Sequence, residues 1–248
     1  MLSTIRHDPI FRAYDYKDYP IHIVGAGATG SRLFMSLIEL GLTNISVYDF
    51  DIVEPHNLAN QSYLHEHIGM LKVNALKDLA TKKLGVPADL IKDMRFINER
   101  IDQRQFDGFL FLLTDTMASR RQIVEAQTTG ADSTLLQVFE TRMASTHGNV
   151  AHFSPTNAAQ RKAWFDTLIS DDEGEVSACG TSISVGPTAS LIANMAVWEF
   201  MNCLLNDGCA TAQRDVVVKP RLMTTKERIG AADPITPEPN KRHWTVAH

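Results

Sequence analysis

Ile21-His22-Ile23-Val24-Gly25-Ala26-Gly27-Ala28-Thr29-Gly30 decides how this chain folds. Ile21 to Val24 is a short run rich in β-branched residues and predicts a strand. It leads directly into a glycine turn. Beyond the turn Leu33, Leu37 and Leu40 recur on one helical face, and Gly41 suits the residue just past a helix end. The order is therefore strand, glycine turn, helix. Gly25 makes the tight turn, Gly27 lets a phosphate approach the backbone, and Gly30 lets the helix pack against the strand. The first N–H groups of the helix lack partners within it and attract an anion. Ile45 to Tyr48 predicts a second strand, and Asp49 at its end stands where a carboxylate meets a ribose hydroxyl. Alone, this pattern implies a nucleotide or dinucleotide site and goes no further.

The next segment narrows it. Asp49-Phe50-Asp51-Ile52-Val53-Glu54-Pro55-His56-Asn57-Leu58-Ala59-Asn60-Gln61 resembles the D-x-D-x-V-x-x-x-N-L-x-R-Q signature of the ThiF/MoeB/HesA-type adenylyltransferases, relatives of the ubiquitin-activating enzymes. Gly69-Met70-Leu71-Lys72 is similar to the family's G-x-x-K, and Thr114 to Arg120 to its T-D-x-x-x-x-R. Cys179-Gly180, then Gly186-Pro187 before a long apolar stretch, continue the likeness to about residue 205.

The resemblance implies an ATP-dependent adenylyltransferase that activates the C-terminal carboxylate of a small ubiquitin-like or sulfur-carrier protein ending in Gly-Gly. It implies ATP and Mg²⁺ as cofactors and a homodimer. It assigns nucleotide binding to Gly25, Gly27, Gly30, Asp49, Asn57, Gln61 and Lys72, with Lys72 also neutralising phosphate charge and Asp115 ligating Mg²⁺. Cys179 falls where several relatives carry a cysteine used in sulfur or acyl transfer. One departure matters. The family arginine is Asn60 here, and Arg32, or Arg6 from a partner subunit, is the candidate replacement cation. Two further readings stay open: adenylation of a peptide or tRNA-borne carboxylate, and a non-catalytic homologue that binds nucleotide or a partner. The paired C-x-x-C motifs of many relatives are absent, so no structural zinc is expected.

The implied architecture is α/β, a Rossmann-like doubly wound and mainly parallel sheet with antiparallel strands toward the C-terminal half. Val73, Leu76, Ala80 and Leu84 predict a helix ended by Gly85, and Met94 to Ile97 a strand. Phe109 to Leu113 is a continuous apolar run, as in a strand buried on both faces, with Asp115 just past its end. A helix over 117–128, a strand over 134–139, an antiparallel return over 149–153 and a helix over 158–168 follow. Ser170 to Ser177 predicts an acidic loop, Pro187 opens a helix, and 216–225 predicts a hairpin. The expected division is an N-terminal docking segment over 1–20, attached through Phe11, Tyr14 and Tyr16, an adenylation domain over 21–229, and a poorly ordered tail over 230–248.

Composition limits the alternatives. A net charge of −5 provides no basic footprint for nucleic acid. No apolar run approaches the roughly 18 residues of a membrane span. Three cysteines, Cys179, Cys203 and Cys209, are too few for a disulfide framework, with Cys203 reading as core, and a cytoplasmic location is the expectation.

Overall fold

The structure, a computed structural model, describes residues 3–86, 91–170, 184–206, 212–217 and 223–227. Eight strands form one sheet in the order β3-β2-β1-β4-β5-β6-β7-β8. The strands are β1 (Ile21–Val24), β2 (Ile45–Tyr48), β3 (Arg95–Ile97), β4 (Gly108–Leu112), β5 (Leu135–Met143), β6 (His147–Phe153), β7 (Ala212–Val217) and β8 (Met223–Glu227). β3, β2, β1, β4 and β5 run parallel, while β6, β7 and β8 add antiparallel pairs. The expected fold class is therefore found, including the change to antiparallel pairing in the C-terminal half.

The helices are α1 (Ala28–Glu39), α2 (Lys72–Leu84), α3 (Met117–Glu125), α4 (Ala158–Asp166) and α5 (Gly186–Leu205). Strand alternation explains why they cover both faces. Ile21 and Ile23 of β1, with Phe109 and Phe111 of β4, share one core with Leu33, Leu37, Leu76, Ile192 and Phe200 of α1, α2 and α5. Val24, Leu110 and Leu112 turn the other way and pack with Ile123, Val124 and Trp164 of α3 and α4. Local signals end and begin these helices, Gly85 as the sequence implies. Gly85 caps α2 at φ 64°, Thr116 accepts from the Ser119 amide at 3.2 Å, and Asn157 accepts from the Gln160 amide at 3.0 Å.

Three expectations need correction. The membrane reading overlooked α5, a 20-residue helix with a mean hydropathy of 1.2 that is long and apolar enough to cross a membrane. In this fold it is a core helix, 56% buried, packed on α1 and on β5 and β6. In the N-terminal segment Phe11 is buried and stacks on Tyr16 at 5.1 Å, whereas Tyr14 is exposed and takes no part in docking. Cys203 is buried as expected, yet it belongs to a disulfide, so it offers no free thiol. Cys179, Cys209, the acidic loop beyond Ser170 and the 230–248 tail lie outside the described residues.

Candidate active site

β1 and β4 are neighbours, and the chain connects β1 outward to β2 on one side before β4 takes the other. That arrangement opens a crevice at the carboxyl ends of these strands, the place where open α/β sheets bind ligands. The glycine loop sits there. Gly25 has φ +102°, and a Cβ on it would lie 2.5 Å from the Leu113 carbonyl oxygen at the end of β4. A Cβ on Gly30 would lie 1.9 Å from the Gly25 carbonyl oxygen, so only glycine lets α1 start this close to the turn. Gly27 differs from both: a Cβ there meets nothing within 4 Å. Its surroundings are open, as a cradle for a phosphate requires. Among the described residues no side chain caps α1, and no acidic residue occupies its first turn, so its positive end faces the crevice.

Asp49 is bonded to this loop. Its Oδ2 accepts the Ala26 amide at 2.6 Å and its Oδ1 accepts the Asp51 amide at 2.8 Å. Burial pushes its pKa upward, against the opposing pull of Lys72 and the two amides. Each carboxylate oxygen keeps a second acceptor site, so the ribose role survives these bonds. Lys72, the first residue of α2, is buried, and its Nζ donates to Asp51 Oδ2 at 2.7 Å. Asp51 thus holds the ammonium beside the crevice.

Pro55–Ala59 forms a 3-10 turn, and Asn60 and Gln61 follow it directly. Asn57 is buried and its Oδ1 accepts the Glu54 amide at 2.9 Å, a capping interaction. Its Nδ2 makes no hydrogen bond among the described residues. Gln61 Oε1 and Asn60 Oδ1 are buried without partners among the described residues. Arg32, one turn into α1, reaches across to donate from Nε to the Asn60 carbonyl at 3.3 Å. A Cβ on Gly186, at the start of α5, would lie 3.2 Å from Arg32 Nη2. Among the described residues Arg32 has no carboxylate partner. The candidate replacement cation therefore lies beside Asn60 itself, whereas Arg6 is exposed in the N-terminal segment.

The T-D-x-x-x-x-R match divides. Asp115 stands just past the end of β4, as the sequence implies, and is exposed, because β4 stops at Leu112 and the chain leaves the sheet. Among the described residues nothing engages its carboxylate. Arg120 is the reverse. It is buried, pairs with the fully buried Glu140, and donates to the Thr141 carbonyl at 2.7 Å and the Thr114 carbonyl at 3.0 Å. Glu140 also pairs with Arg142 at 2.8 Å, and burial lowers that arginine's pKa to about 10. This network fixes the start of α3 against β5.

Sequence reasoning missed Tyr63. It is buried, and its hydroxyl donates to the Ala26 carbonyl at 2.7 Å. Just before it, the Ser62 amide donates to Ser31 Oγ of α1 at 3.1 Å. Nothing local marks these residues, since their partners lie 37 and 31 positions away.

The ThiF family model matches residues 13–240. The chain belongs to the ThiF family. No curated protein matches it. Among solved structures it is similar to PaaA, with 16% identity, a TM-score of 0.65, and coverage of 88% of this chain and 66% of that one. It is also similar to E. coli MccB solved with MccA-N7isoASN, with 12% identity, a TM-score of 0.67, and coverage of 91% and 69%. E. coli MccB solved with ATP matches at 12% identity and a TM-score of 0.63, over 89% of this chain and 66% of that one. The chain thus spans about two thirds of the length of these ThiF-fold relatives.

Proposed function

We propose that this ThiF-family protein is an ATP-dependent adenylyltransferase acting on a polypeptide C-terminal carboxylate. The observation that carries the proposal is the junction of the open, uncapped glycine loop with Asp49, Asp51 and Lys72 in one bonded chain. A plain nicotinamide site has no use for a buried lysine at that point. In this reading the free N–H groups of α1 receive phosphate oxygens, and Asp49 receives the ribose. Lys72 shifts part of its charge from Asp51 to the phosphates. The carboxylate attacks the α-phosphate in line, an acyl-phosphate bond forms, and pyrophosphate leaves with the displaced electron pair. The protein contributes positioning and charge neutralisation.

Asp115 fits a Mg²⁺ ligand, since its carboxylate is otherwise unengaged among the described residues and Mg²⁺ needs only one or two carboxylates beside phosphates and water. Bound magnesium supplies charge neutralisation on the phosphates. The acid substrate is a small ubiquitin-like or sulfur-carrier protein ending in Gly-Gly. The similarity to MccB, solved in complex with N-formylated MccA, supports a peptide C-terminus as the second reading. A homodimer fits either substrate.

Asn60 makes the reading testable. If Arg32 replaces the family cation, the wild type exchanges labelled pyrophosphate into ATP and Arg32→Ala cripples exchange, because a guanidinium meets phosphate oxygens bidentately where a neutral amide does not. Arg6→Ala tests the alternative supplier across a dimer. Asn60→Arg should then add little. A wild type that binds ATP but fails to exchange, and that gains activity with Asn60→Arg, would overturn the enzyme reading in favour of a binding homologue.

A further inference from the structure

Resting on that nucleotide reading, we infer that Tyr63 is a positioning residue that aims the Gly27 amide at the bound phosphate. Ala26 is held at both ends, its N–H by Asp49 Oδ2 at 2.6 Å and its carbonyl by the Tyr63 hydroxyl at 2.7 Å. The Ala26 carbonyl belongs to the same planar unit as the Gly27 N–H. In a trans peptide these two groups point in opposite directions, so fixing one aims the other. Tyr63 draws the carbonyl into the protein, and the Gly27 N–H therefore points away from it. Gly27 is also the loop position where an added Cβ meets nothing within 4 Å.

The loop needs this restraint. Gly27 lacks a Cβ, so rotating the 26–27 peptide meets little steric resistance on its far side. A rotated plane would present a carbonyl oxygen to the phosphate in place of an N–H donor. Asp49 does not prevent that, because it holds the preceding peptide unit.

Tyr63 is built to hold its place. It is 4% exposed, and its ring meets His67 edge to face at 6.3 Å. His67 is fixed in turn: its Nδ1 accepts the Leu64 amide at 3.1 Å, which leaves Nε2 to donate to Asp78 at 2.9 Å. The Ser62 amide, bonded to Ser31, ties the same segment to α1. Burial, with Asp49 and Asp51 nearby, pushes the phenol's pKa well above its ordinary value, so the hydroxyl stays a donor.

The test is Tyr63→Phe, which removes one oxygen and keeps the ring. Calorimetry on the full chain measures ATP, and competition measures adenosine, which has the base and ribose but no phosphate. The expected result is an ATP affinity lowered roughly tenfold, the scale of one hydrogen bond to a buried group, with adenosine within about twofold of wild type. In exchange assays the loss should appear in KM for ATP more than in kcat. Unchanged ATP affinity in the variant would overturn the inference and leave the nucleotide reading intact. Equal losses for ATP and adenosine would show a general loosening and also overturn it. A wild type that binds no ATP would remove both.

Discussion

Replacing Lys72 with alanine is expected to slow ATP–pyrophosphate exchange by about 10²- to 10³-fold while leaving the protein folded, by analogy with removing one donor that stabilises a transition state. The ammonium is buried at the first turn of α2, where the helix dipole disfavours a cation, and Asp51 is its carboxylate partner. That pairing keeps the charge beside the glycine loop in the free protein. Removing the lysine leaves Asp51 able to turn to solvent, since its side chain is 44% exposed, so the stability penalty is small. Lys72→Arg should restore part of the activity, because charge is retained while the point geometry changes. Full exchange activity in Lys72→Ala, measured with an acid that supports exchange in the wild type, would show that the lysine only anchors Asp51.

Arg120→Met should produce the opposite pattern, a large loss of stability with little direct effect on nucleotide binding. The side chain is similar in reach and apolar, but Glu140 loses one of its two cations in a fully buried position. Two carbonyls, of Thr114 and Thr141, lose their donor as well. Breaking a buried ion pair costs about 3–5 kcal/mol, and the lower end applies because Arg142 remains. Denaturant unfolding of wild type and variant, with the slope unchanged, measures it directly. A shift below about 1 kcal/mol together with lost ATP binding would instead assign Arg120 to the substrate.

These two residues show where a single sequence is informative. The glycine loop was legible because its demands are local: a positive φ at Gly25 and a close approach at Gly30 are met within six residues. The helix end at Gly85 was legible for the same reason. Asp49 was legible as a site residue through its place at a strand end, but its bond to the Ala26 amide was not. Lys72 was identified through a family motif, while its partner Asp51 lies 21 positions back. Arg120 was found by the same means, and its burial against Glu140 depends on how α3 sits on β5. Asp115 fell on the exposed side of a boundary set by the length of β4, and strand ends are what sequence patterns fix least. Tyr63 carries no local mark at all, because its hydroxyl matters only once the 61–64 segment folds back over the loop. α5 was legible as a long apolar helix opened by Pro187, but not as one of membrane-spanning length, because Asn194, Glu199 and Asn202 interrupt its hydrophobic run.

The central claim is that the crevice beside Gly27, Asp49 and Lys72 is an ATP site. Calorimetric titration of the purified wild type with ATP in the presence of Mg²⁺, and separately with NAD, tests it most directly. The predicted result is saturable ATP binding, weakened in Lys72→Ala, with NAD weaker or undetectable. Saturable binding of NAD with no signal for ATP would contradict the account.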